Sequence, residues 1–256
     1  MIKTHSFGSS QEAWEGINEY FLTQEQEVVD RGGTRTGSQL LSYNHFIDIH
    51  RAWINPDFDF GKMFGYTPTK WTHLISNYIN MAYLSLVKSE VIARELKNSK
   101  QYNISFNFSN SHGSGKGCLL SCTFVRRPSV GYPILLFNLR SSEVVKRLAV
   151  DFLLLQRIGE YVYGDTKFGL QLFCGNLYTT AEFSTMYNTH KKLRKIITDR
   201  DNLQPFQTKV LEIFKRFKTV DPATIKYKVH LRAVKRLQPE LFPVKPFLAK
   251  DCYLSV

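Results

Sequence analysis

The chain reads as one α+β domain, a twisted and mostly antiparallel sheet with a buried central helix. Three observations lead there. Strand-like runs follow one another with only turn-like stretches between them: "YNISFNFS" from Tyr102, "CLLSCTFV" from Cys118 and "PILLFNL" from Pro133. Short connections of the "RRPSVGY" kind join antiparallel neighbours, because a parallel pair needs a long crossover. Residues 143–163 then run through Val144, Val145, Leu148, Phe152, Leu155, Ile158 and Val162 at helical spacing, and a helix apolar on most sides is buried. Finally, no repeat, low-complexity tract or linker divides residues 1–256, so the whole chain is expected to be a single domain.

The elements follow in order. Ser9-Ser10-Gln11-Glu12 is a capping box that opens an amphipathic helix to about Leu22. "EVVDRGGTRTGSQLLSYNHFIDIH" turns through a Gly-rich basic loop into an alternating strand. Residues 55–80 fit helix and loop equally. Residues 81–97 place Met81, Leu84, Val87 and Val91 on one side of a helix. Beyond the buried helix come a strand over Leu170 to Phe173 and helical segments rich in Lys and Arg.

Composition excludes several classes. With 43% hydrophobic and 14% aromatic residues the chain is no disordered protein. No stretch approaches the roughly 20 apolar residues of a membrane span, and "MIKTHSFGSSQEAW" lacks the apolar core of a secretory signal. Cys118, Cys122, Cys174 and Cys252 are too few and too scattered for a disulfide framework, so a reducing cytoplasm is expected. With His112 they make no zinc spacing, and no metal is expected. Net charge is +12, and residues 186–250 hold 16 Lys/Arg against 5 Asp/Glu. That basic C-terminal part is either a solvated surface or a face for nucleic acid or an acidic protein.

One residue of the apolar helix stands apart. Asp151 is a carboxylate among hydrocarbon, and a buried carboxylate needs a fixed partner or a ligand. Asp151 belongs to an ordered set: Cys118, then Arg140-Ser141, then Asp151, then Asn176-Leu177-Tyr178, preceded by "VVDRGGTRTG". From about Ser9 to Leu193 this order resembles the thymidylate synthase superfamily, most closely its cytidylate hydroxymethylase branch. The resemblance implies that family's fold, a homodimer joined through the sheet face, and a pyrimidine nucleoside monophosphate as substrate. It implies that Arg31, Arg140 and Ser141 hold the phosphate, because a guanidinium fork gives two parallel charged hydrogen bonds. Lys100 stands where the family lends arginines from the partner subunit. Cys118 becomes the nucleophile that adds to pyrimidine C6, and the alternative for it is an inert core thiol like Cys122, expected on the same strand face. Asp151 replaces the Asn of uridylate-specific members and would accept from the cytosine amino group, worth roughly 1–3 kcal/mol of discrimination; the alternative is an ion pair with Lys146 or Arg147. Asn176 and Tyr178 match the sugar contacts, with Asn176 in place of a His.

The sequence departs from the family at "NPDFDFGKMFGY", residues 55–66. There the family's proton-shuttling Glu becomes Lys62, with Asp57 and Asp59 nearby and Trp71 as a remnant of the following motif. An ammonium does not replace a carboxylate in general acid–base work. Two functions follow: a C5 pyrimidine nucleotide (hydroxy)methyltransferase using methylenetetrahydrofolate, with ordinary or altered chemistry, or a fold that binds nucleotide, nucleic acid or protein without turnover.

Overall fold

The computed structural model describes residues 1–23, 27–30, 38–97, 99, 101–108, 117–127, 129–144, 146–178 and 245–254. The Gly-rich loop with Arg31, Lys100, and the basic stretch up to residue 244 lie outside them. Within them the chain is α+β. Strands β1 (Lys3–Ser9), β2 (Glu27–Asp30), β3 (Ser38–Arg51), β4 (Tyr102–Asn107), β5 (Leu119–Arg126), β6 (Ile134–Glu143) and β7 (Gly169–Tyr178) form one sheet. Its order is β1-β3-β7-β6-β5-β4, with β2 also paired to β3. Four pairings are antiparallel, but β1–β3 and β6–β7 are parallel, so the sheet is mixed. The helices are α1 (Ser10–Thr23), α2 (Phe60–Phe64), α3 (Pro68–Tyr78), α4 (Met81–Leu96) and α5 (Arg147–Tyr163).

The parallel β6–β7 pair requires a crossover, and α5 supplies it. Leu148, Val150, Phe152, Leu154, Leu155 and Ile158 are wholly buried, as near-continuous apolarity requires. The helix starts at Arg147 rather than Glu143 because β6 continues through Glu143, in register with Tyr178. The Glu143 carboxylate then accepts the N–H groups of Lys146 at 2.9 Å and Arg147 at 3.3 Å, satisfying donors the first helical turn leaves open. Gly164, at φ 64°, ends it, in a backbone region where glycine escapes the Cβ penalty. Helices α1 and α4 flank α5 and pack on β1, β3 and β4.

Residues 55–80 resolve into α2 and α3, and a C-terminal segment explains their irregularity. Ala249 and Lys250 donate to the carbonyls of Phe58 and Pro56, and Phe60 donates to Phe247. Asp57 pairs with Lys250 at 2.8 Å, and Asp59 accepts from the Phe247 N–H at 3.2 Å. The buried Trp71 donates to the Tyr253 carbonyl at 2.9 Å. Both acidic residues near Lys62 are therefore engaged by the C-terminal segment.

Among the described residues no helix is long and apolar enough to cross a membrane.

Candidate functional site

The site is built from the end of β6. Ser141 and Ser142, just before its last residue, reach in turn a thiol and a carboxylate. Cys118 precedes β5, where its carbonyl accepts from the Arg140 N–H at 2.8 Å. Its Sγ lies 3.6 Å from the Ser141 Oγ, and its N–H donates to the Tyr78 hydroxyl at 3.4 Å. Ser142 Oγ donates to Asp151 Oδ2 at 2.7 Å. Two consecutive serines thus tie Cys118 and Asp151 into one arrangement.

Cys118 differs from Cys122. A register shift between Leu119 and Ser121 breaks the simple alternation of β5, so strand parity does not relate Cys118 to Cys122 as expected. Cys122 is fully buried, and burial pushes its thiol well up. Cys174 and Cys252 are buried too, both pushed up to about 12, chiefly by burial. Only Cys118 is partly open to solvent. A usable thiol must be reachable, so Cys118 is the one candidate nucleophile among the cysteines.

Burial raises the Asp151 carboxyl to about 6, against the Ser142 hydrogen bond and the Arg147 charge, which favour ionisation, while Glu143 raises it further. Arg147 stands one turn before Asp151 on α5. It keeps contact with solvent and has Asp151, Tyr66, Tyr78 and Cys118 around it, which together outweigh its desolvation and raise its pKa. It is hydrogen-bonded to Tyr66, whose phenol burial pushes up to about 12. The Lys146 Nζ lies 5.7 Å from the centre of the Tyr66 ring. A guanidinium, two phenols, a thiol and a carboxyl are therefore gathered around Arg147. On β7, in register with Ser141, Asn176 carries a buried Oδ1 with no hydrogen-bond partner among the described residues. A buried acceptor left unpaired is costly and fits a ligand donor.

The remaining expected residues are spread. Arg140 is exposed beside Ser141, and Tyr178 is half-buried with its carbonyl accepting from Val144 at 2.9 Å. Lys62 lies within α2, but its side chain, like Arg31 and Lys100, is outside what the structure describes. Ser142, Tyr66 and Tyr78 were not foreseen as site residues. Arg147 was foreseen only as a possible partner of Asp151, and its four-residue spacing from Asp151 is the signal that places both on one helix face. No cluster of His, Cys, Asp and Glu fit for a metal occurs among the described residues. No protein-family model matches the chain, and no curated protein does.

Proposed function

We propose that this chain is a thymidylate synthase-like protein whose site binds a cytosine nucleoside monophosphate, as a C5 one-carbon transferase with altered chemistry. One observation carries the reading. The only accessible thiol and a buried carboxyl of raised pKa are tethered by adjacent serines at a strand end, Cys118 to Ser141 and Asp151 to Ser142. That pairing matches what a pyrimidine requires: a nucleophile at C6 and a reader at the amino group. The unpaired Asn176 Oδ1 supports a sugar hydroxyl as its donor. Phosphate falls to Arg140 and Ser141, with Arg31 and Lys100 from the undescribed segments. When bound, methylenetetrahydrofolate supplies the one-carbon unit; the described site residues form no cradle for it.

A homodimer through the open sheet face accompanies this reading. Phe46 and Phe173 meet there with ring centres 4.7 Å apart and planes tilted by 45°, and Phe173 is 45% exposed. Light scattering at micromolar concentration tests it, a monomer being the contrary result.

The second reading, binding without turnover, draws on Lys62 and on the engagement of Asp57 and Asp59 by the C-terminal segment. Each missing proton-transfer role costs about 10²–10⁴-fold in rate. Folate-dependent tritium release from [5-³H]dCMP and [5-³H]CMP is expected to be slow in the wild type, gained in Lys62→Glu and absent in Cys118→Ala. Rapid release by the wild type restores an ordinary enzyme. Release that survives in Cys118→Ala removes the thiol from the chemistry.

A further inference from the structure

Consecutive residues of a regular strand point to opposite faces of the sheet. Ser141 and Ser142 break that rule. The first meets Cys118 and the second Asp151, and both of these groups lie around Arg147 of α5. Strand β3 breaks it too, since Ser42 and His45, an odd three residues apart, meet side chain to side chain at 2.9 Å.

Burial shows where the alternation fails. On β6, Leu135, Phe137 and Leu139 are buried and Asn138 and Arg140 exposed, yet Ser142, of the Arg140 parity, is buried. On β7, Cys174 is buried and Phe173 and Gly175 are exposed, yet Leu177 is buried. On β3, Asn44 is exposed and Ser42 is buried. Ser42, Leu177 and Ser142 form one register row, so three strands change sides together.

The break passes through Asn44, Gly175 and Arg140. The β3–β7 and β7–β6 pairings both skip these residues and continue on either side of them. Strand β5 carries the break onward, because Leu120 is unmatched between Leu119 and Ser121. One fold line therefore crosses β3, β7, β6 and β5, and candidate residues lie along it. The Cys118 carbonyl accepts from Arg140 on the line, and Asn176 and Ser141 form the next row.

Two residues fix the line from strands that carry neither the thiol nor the carboxyl. Asn44 holds φ 58°, a left-handed conformation that Asn tolerates and a β-branched residue does not. At Gly175 a Cβ would stand 3.1 Å from the Arg140 carbonyl oxygen, closer than ordinary contact allows. We propose that Asn44 and Gly175 are positioning residues of the candidate site, holding the fold line that turns Ser142 to the side of Ser141 and so tethers carboxyl and thiol together. Bulges beside functional sites re-aim side chains in this way. The inference rests on the reading of this site as functional, but its first test needs no nucleotide.

Carbon-13 spectra of the carboxyl groups, with Asp151 assigned through Asp151→Asn, give the Asp151 titration midpoint in the free protein. The Ser142 hydrogen bond favours the ionised form, so Ser142→Ala should raise the midpoint by about one pH unit. Asn44 lies two strands from Ser142, roughly 10 Å away. Even so, Asn44→Val should raise the midpoint as far as Ser142→Ala, and the double variant no further, because both remove the same bond. Asn44→Gly, free to adopt positive φ, should keep the wild-type midpoint. A wild-type midpoint in Asn44→Val, or a double variant whose shift is the sum of the two, overturns the proposal. Should Asn44→Val not fold, Gly175→Ala takes its place with the same outcomes. Calorimetry with CMP then separates this inference from the nucleotide reading. Binding weakened about tenfold in Asn44→Val and kept in Asn44→Gly extends the positioning to the ligand. Absence of CMP binding in the wild type, with the midpoints as expected, keeps the positioning and removes the nucleotide.

Discussion

Burial raises the Asp151 carboxyl to about 6, although Ser142 and Arg147 both favour its charge. A carboxyl raised in the folded state contributes stability that is fully present below its unfolded value near 4 and is lost as pH rises through about 6. At neutral pH Asp151 therefore costs stability, which fits a residue kept for a ligand better than one kept for an ion pair. Asp151→Asn retains the acceptor for Ser142 and removes the charge. It should stabilise the protein by about 1–3 kcal/mol at about pH 8, with the gain vanishing toward about pH 4. Urea unfolding of both proteins across that range measures it; a less stable Asp151→Asn at pH 8 would make Asp151 a structural partner of Arg147. Asp151 was legible because charge interrupts an apolar run. Ser142 was not, because a serine at a strand end carries no signal until its register is known.

At the scale of elements, the packing of α5 on β7 turns on one glycine. A Cβ at Gly159 would overlap the ring of Phe168, which is buried ahead of β7. Alanine is the better helix former by about 1 kcal/mol, but overpacking a filled core costs about 1–3 kcal/mol. Gly159→Ala should lower unfolding free energy by up to about 2 kcal/mol in urea; a variant more stable than the wild type would show that Phe168 yields freely. The same scale separates what was legible from what was not. The buried helix and strands β4, β5 and β6 announce themselves by apolar runs. Strand β1 does not, since its partly covered positions are Lys3, His5 and Phe7. Two of these three are polar, Lys3 donating to Ser42 and His5 hydrogen-bonded to His45, so hydrophobic alternation cannot find the strand. The start of α5 was misplaced for a related reason: Glu143 looks like a first-turn helix residue but ends β6 and caps the helix from outside.

Over the whole molecule, the least legible contact is also the longest. Residues 245–254 return across the chain to α2 and α3, with Trp71 and Tyr253 joined by one hydrogen bond. Gly61 has no room for a Cβ against the Lys245 carbonyl and the Phe247 amide, so the segment lies directly on the α2 backbone. Neither end of such a contact carries local periodicity, and the irregular "NPDFDFGKMF" makes sense only with its partner in place. Cys252 of this segment lies near Tyr66, which is hydrogen-bonded to Arg147. The site is thus assembled from Tyr66 and Tyr78 around α3, the residue before β5, the end of β6, α5 and β7. Its proposed occupant is the most direct test. Titration calorimetry of the wild type with CMP, dCMP, UMP and dUMP should show the cytosine nucleotides bound more tightly by about tenfold, within the roughly 1–3 kcal/mol of one base-edge match. Asp151→Asn should flatten or reverse that preference. Equal affinity for all four nucleotides, or binding of none, contradicts the account.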